Sequence, residues 1–177
     1  NPRGMIGFSG GLYVYGAITW GSPPSITVSP VGKRVGDDWE LISPDIALSA
    51  YCAEVHNDKL WIGMEPLPAT PSNAVYRFSS DASYIVVPTP SPVFSVRAML
   101  VWNGDLYVAT EPHSAAASPF LRLTGLSWTP LGSWSSGARA YALAPHTLPD
   151  GTQVIAIGGE FDSAGGVASK RVICWSP

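Results

Sequence analysis

Apolar and polar positions along the chain fall in a pattern that repeats. Pro2 to Val14 reads PRGMIGFSGGLYV and Val96 to Val108 reads VRAMLVWNGDLYV. At a constant offset of 94, Arg3 meets Arg97, Met5 meets Met99, Phe8 meets Trp102, Gly10 meets Gly104, and Leu12-Tyr13-Val14 meets Leu106-Tyr107-Val108. A third copy, Tyr51 to Ile62, reads YCAEVHNDKLWI, and a fourth begins at Arg139 and is lengthened by a Pro-containing insert. The anchors Leu12, Leu60, Leu106 and Ile155 stand 48, 46 and 49 residues apart.

Each repeat reads as four strands. The first two form a hairpin whose turn is Ser9-Gly10, Asn57-Asp58 and Asn103-Gly104 in successive copies, residue types that accept positive φ at both central positions of a type I′ turn. The fourth copy has a longer Pro-Asp-Gly loop instead. A third strand is expected at Ser25–Pro30, Ala74–Ser79, Phe120–Gly125 and Arg171–Ser176, and a fourth at Trp39–Ile42, Tyr84–Val87 and Trp128–Leu131. Ala47 to His56 has helical propensity, but its place in the register makes it a loop and an inner strand. The first strands are expected at residues 4–8, 51–56, 97–102 and 139–144.

A period near 45–50 in all-β material points to a β-propeller of four consecutive blades, approximately 1–46, 47–93, 94–135 and 136–177, forming a single domain. A twisted four-stranded sheet cannot bury both faces alone, so the Leu, Val, Ile and most of the seven Trp and seven Tyr are assigned to packing between blades. The last blade lacks its outermost strand. With Asn and not Met at position 1, this leads us to expect part of a larger propeller, with a partner strand, from a neighbouring subunit or a missing chain segment, on the Arg171–Ser176 edge.

Composition narrows the classes. Hydrophobic residues are 46% and charged residues 13%, half the usual charged share of about 25%. That is too apolar for a disordered chain, and no run of 18 apolar residues makes a membrane span. The net charge is −3 without a Lys/Arg cluster, so neither nucleic acid nor an anionic membrane is an expected partner. Cys52 and Cys174 make neither a disulfide framework nor a metal site and read as free thiols on strands.

In the fourth repeat, Ile157-Gly158-Gly159-Glu160-Phe161-Asp162-Ser163-Ala164-Gly165-Gly166-Val167 resembles the "GGxFxxAGG" repeat of propellers in bacterial and fungal surface proteins. More loosely, the chain is similar to kelch repeats, with Trp39 and Trp128 where the kelch Trp would lie. The first three repeats lack the double Gly, reading Tyr15-Gly16, Gly63-Met64 and Ala109-Thr110. The resemblance implies a binding scaffold and transfers no catalytic residue.

By that strand order, the loops after strand two and between blades open on one face. Glu65, Glu111 and Glu160 end strand two there, while the first repeat has Ala17 or Ile18. They read either as an acidic collar for a cation or a sugar hydroxyl, or as solvated or Arg-paired side chains. Arg3, Arg97 and Arg139 begin the innermost strands, with Tyr51 in the second blade; they suit a carboxylate or phosphate, or pairing with the Glu collar. Trp20, His113 and Trp134 fall in loops on that face, as sugar-stacking or protein-anchoring residues or as lids over a blade edge. His56 and His146 lie towards the opposite face without ligand spacing. No catalytic constellation, phosphate cradle or calcium loop stands out, and no cofactor is expected. The expected function is a non-catalytic module on an extracellular or virion surface that contacts protein or glycan. The alternatives are a structural part of an assembly such as a phage tail, and a fragment of a glycan-active enzyme.

Overall fold

In the computed structural model, which describes residues 1–20, 27–42, 49–65, 74–80, 83–89, 93–112 and 117–176, the repeat becomes a series of antiparallel sheets. The first sheet runs β1 (Pro2–Phe8), β2 (Gly11–Trp20), β3 (Thr27–Val35) and β4 (Asp38–Leu41) in spatial order. The second is β5 (Ala50–His56), β6 (Lys59–Met64), β7 (Val75–Ser80) and β8 (Ser83–Val86). The third is β9 (Val93–Trp102), β10 (Asp105–Pro112), β11 (Phe120–Thr124) and β12 (Ser127–Pro130). The fourth has β13 (Arg139–Thr147) and β14 (Gln153–Glu160); after a short hairpin of β15 (Ser163–Ala164) and β16 (Val167–Ala168) it ends with β17 (Val172–Trp175) beside β14. Among the described residues there is no helix, and Ala50–His56 is strand; Ala47 and Leu48 lie outside them.

The turns form as their residues require. Ser9 and Gly10 have φ of 49° and 74°, Asn57 and Asp58 of 50° and 54°, and Asn103 and Gly104 of 49° and 86°. Both central positions are therefore left-handed, the type I′ condition that matches the twist of the flanking strands. In the fourth sheet the Leu148–Thr152 loop closes with paired backbone bonds, and Gly151 takes φ 85°.

One strand departs from the sequence reading. The third strand of the first repeat was expected to end at Pro30, yet β3 continues to Val35 and turns at Gly36, φ 63°. Pro30 lies where the β2–β3 register shifts, between Tyr15↔Val31 and Ile18↔Ser29, so the ladder needs no N–H from it. Ser25 and Ile26 lie outside the described residues. The fourth strands begin one residue earlier than expected, and the β15–β16 hairpin was not foreseen.

Each sheet packs on the next. Phe8, Tyr13 and Val31 meet Leu60, Ile62, Met64 and Phe78. Cys52, Trp61 and Val75 meet Met99, Leu106, Val108 and Trp128. Tyr107, Ala109 and Phe120 meet Ala140, Ile155, Ile157 and Phe161. Three cores thus join four sheets in chain order. The repeat anchors Leu60, Leu106 and Ile155 are each 0% exposed, whereas Leu12, on the side of the first sheet that no other sheet covers among the described residues, is 36% exposed. The fourth sheet's β17 has strand pairing only on its β14 side, so its outer edge is bare among the described residues.

Candidate functional site

The four sheets share one irregularity. The β1–β2 register jumps from Pro2↔Gly16 to Gly4↔Tyr15, and β5–β6 from Ala50↔Met64 to Cys52↔Gly63. The β9–β10 register jumps between Val96↔Thr110 and Ala98↔Ala109, and β13–β14 between Ala140↔Gly159 and Ala142↔Gly158. The residue passed over is Arg3, Tyr51, Arg97 and Tyr141 in turn. A bulge re-aims the side chain of its extra residue, and such devices recur beside functional sites. Four bulges at one position of four sheets therefore deliver a row of cation, phenol, cation and phenol. The sequence reading grouped Arg139 with Arg3 and Arg97. The structure places Arg139 at the start of β13 but two residues before the equivalent position, which Tyr141 holds, because the longer β13–β14 loop displaces the register.

The end of the second strand faces each bulge. Tyr51 donates its hydroxyl to Glu65 Oε2 at 2.8 Å, and Tyr141 donates to Glu160 Oε2 at 3.0 Å. Arg97 donates to Glu111 Oε2 through Nε at 3.0 Å and through Nη2 at 2.5 Å, and Ser95 Oγ adds a bond of 3.2 Å. Ala17 occupies the equivalent position in the first sheet, shown by one shared backbone bond: Ala17 N–H donates to Asn1 O as Glu65 N–H donates to Ser49 O. Arg3 therefore has no carboxylate within ion-pair distance among the described residues.

Neighbouring sheets are then linked sideways. The guanidinium carbons of Arg3 and Arg97 lie 4.2 and 4.1 Å from the centre of the Tyr51 ring, cation–π contacts from both adjacent sheets. Glu111 Oε1 takes Arg139 of the fourth sheet at 3.1 Å, and Arg139 lies 3.8 Å from Glu160. Glu65, Arg97, Glu111, Arg139 and Glu160 are thus brought into one band at the end of the sheets opposite the hairpin turns. Burial pushes the Tyr51 phenol up, reinforced by its bond to Glu65, so it stays a donor. For Arg97, burial opposes the charge most strongly of any one influence, but the bond to Glu111 and the charge interactions with Tyr51 and Glu111 together outweigh it and the pKa is raised. Exposure grades along the band: Glu111 is 12% exposed, Arg139 47% and Glu160 58%.

Of the remaining sequence candidates, Trp134 is half-buried, donates its indole N–H to Leu131 O at 2.7 Å and packs edge-on against Phe161. Trp20 ends β2, and its side chain lies outside the described residues, as does the whole of His113. A polar hollow of about 300 Å³ adjoins Glu160, lined by Ser135, Ser136, Asp162 and Arg171. At the hairpin end, a cleft of about 470 Å³ between the second and third sheets is lined by His56, Lys59, Trp61, Arg77, Asp105 and Arg122. Sequence reasoning missed this cleft, and the alternation of Arg77 and Arg122 within third strands is the signal it left. Among the described residues no group of three His, Cys, Asp or Glu side chains could hold a metal, and no helix is long and apolar enough to cross a membrane. Neither a protein-family model nor a curated protein matches the chain.

Proposed function

We propose that this chain is a run of four β-propeller blades serving as a non-catalytic binding scaffold on an extracellular or virion surface. It contacts a protein or glycan through the end that carries the Arg–Tyr–Glu band. The observation that carries this reading is the recurrence of one bulge in four sheets, each presenting a charged or phenolic side chain at the same end. The side chains are held by one another, so little ordering cost remains when a partner arrives. Paired guanidinium and carboxylate groups suit sugar hydroxyls and peptide groups alike, and the hollow beside Glu160 gives a polar recess next to them. The kelch-like resemblance and the low charge content agree with this.

The test is an array of neutral, sialylated and uronate-bearing glycans probed with the protein and with Tyr51→Ala and Arg97→Ala. Capture of at least one class, lost in both variants, is expected. No capture on the array would remove the glycan half of the reading, and capture indifferent to both substitutions would remove the band as the contact face. A second reading, a structural part of a larger assembly, is favoured by the bare outer edge of β17. That edge carries Val-Ile-Cys-Trp without a charge and would accept a strand from a neighbour.

A further inference from the structure

The side of the first sheet that faces away from the second is built as an interface. Met5 is 65% exposed and, with Pro2, Val14, Ile18 and Trp39, lines an apolar groove of about 560 Å³; Leu12, in alternation with Val14 on β2, is 36% exposed. Their repeat equivalents in the third sheet, Met99, Leu106 and Val108, are 9%, 0% and 0% exposed because the second sheet covers them. What covers them there is known in detail. The row Cys52↔Gly63↔Val75 receives Val96 and Met99, and a Cβ on Gly63 would stand 2.7 Å from Val96 Cγ1.

The outward side of the fourth sheet carries the equivalent row, Ala142↔Gly158↔Val172, and beside it Ala144↔Ala156↔Cys174. These are small side chains, and Val172 is 62% exposed. One end of the molecule thus presents the large residues of an inter-sheet core, and the other presents the small-residue surface that such residues pack on. The polar band is complementary in the same sense. Among the described residues, Arg3 at one end lacks the carboxylate that Arg97 has, and the Tyr141–Glu160 pair at the other end holds a carboxylate that is 58% exposed. The bulge residues alternate Arg, Tyr, Arg, Tyr, so Tyr141 followed by Arg3 would continue the series.

We propose that a second copy of this chain covers the first sheet, head to tail: its fourth sheet seats Met5 over the Ala142–Gly158–Val172 row and offers Glu160 to Arg3. The contact is heterologous, so two copies close a ring or further copies extend the array. It does not depend on what the band binds, and its test involves no ligand.

Met5 and Ala142 are both exposed, so Met5→Glu and Ala142→Arg each block one side of the contact without disturbing a core. Light scattering coupled to size exclusion should show concentration-dependent association of the 18.7 kDa chain. Each variant alone should weaken it by about tenfold or more. An equimolar mixture of the two should form a heterodimer through the one intact pair of faces. Exchanging charges by Arg3→Glu or Glu160→Arg should weaken association, and combining them should restore it. Cys174, in the row beside the covered one, should react with a maleimide more slowly as concentration rises. A monomer at every concentration, or an oligomer indifferent to both blocking substitutions, would overturn the proposal.

Discussion

Cys52 and Cys174 are one chemical group in opposite surroundings. Cys52 is buried against Val96, its thiol 3.6 Å from the Val96 carbonyl, and burial pushes its pKa up to about 12, partly opposed by the Gly63 backbone. Cys174 is exposed. Iodoacetamide should therefore label only Cys174 in dilute native protein and both thiols after unfolding, as peptide mass analysis will show. The folded Cys52 keeps its proton to about pH 12, whereas the unfolded thiol ionises near 9.0, so its contribution is whole below about pH 9 and is lost as the pH climbs towards 12. Burial raises the phenols of Tyr15, Tyr51, Tyr76, Tyr107 and Tyr141 as well, and these act in the same direction. Urea midpoints should be flat to about pH 9 and fall above it, less steeply in Cys52→Ala. A second residue-scale test is Ala17→Glu, which places a carboxylate where Glu65, Glu111 and Glu160 stand in the other sheets. The gain in a melt should be about 0–1 kcal/mol, the range of a partly exposed pair, and lost at high salt. The pair Arg3 and Arg97 was legible because the offset between the first and third repeats is constant, and the Glu series because its spacing of 46 and 49 residues matches that of the anchors Leu60, Leu106 and Ile155. The role of Tyr141 was hidden, because a bulge is set by pairing across strands and the longer fourth hairpin moves it out of step with Arg139.

At the scale of the strand, the same letter in the same register means different things in different sheets. Leu106 and Leu12 are repeat equivalents, yet one is enclosed between two sheets and the other is 36% exposed. Truncating Leu106 to Ala removes buried methyl groups and leaves a cavity, and should lower unfolding stability by about 2–5 kcal/mol. Leu12→Ala in dilute protein should cost under about 1 kcal/mol, the range of surface changes. Equal costs in chemical denaturation would contradict the packing order described above. Gly159 shows why the end of strand two in the fourth repeat requires Gly at that position: a Cβ there would stand 2.0 Å from the Arg139 carbonyl oxygen. The tight hairpins were readable from their turn residues, since Asn-Gly and its relatives specify a two-residue connection by local sterics alone. Two elements were not. Pro30 looks like a strand terminus until the opposing register shift removes the need for its missing N–H, and two-residue strands such as β15 and β16 carry too few positions to show a period.

Among the described residues, the cores join each sheet to its neighbours in chain order, so stability should be distributed as in a stacked repeat, a sum of sheet and interface terms. The second and third sheets are covered on both sides. In β6, Leu60, Trp61, Ile62 and Met64 are 2% exposed or less, and in β10, Leu106, Tyr107, Val108 and Ala109 are 1% or less. The first and fourth sheets are covered on one side, which leaves Met5 and Val172 above 60% exposed. An outer sheet can therefore open by breaking one core, whereas an inner sheet must break two. Native-state hydrogen exchange should resolve this, because amides exchange through the lowest-energy opening available to them. Protection in β6 and β10 should approach the global unfolding energy, with β2 and β14 lower. Uniform protection across all four sheets would mean a single cooperative unit and would refute the stacked picture. If a second copy covers the ends as proposed, protection in β2 and β14 should rise with protein concentration while that in β6 and β10 stays constant. An intramolecular stack without such a partner has no means of producing that contrast.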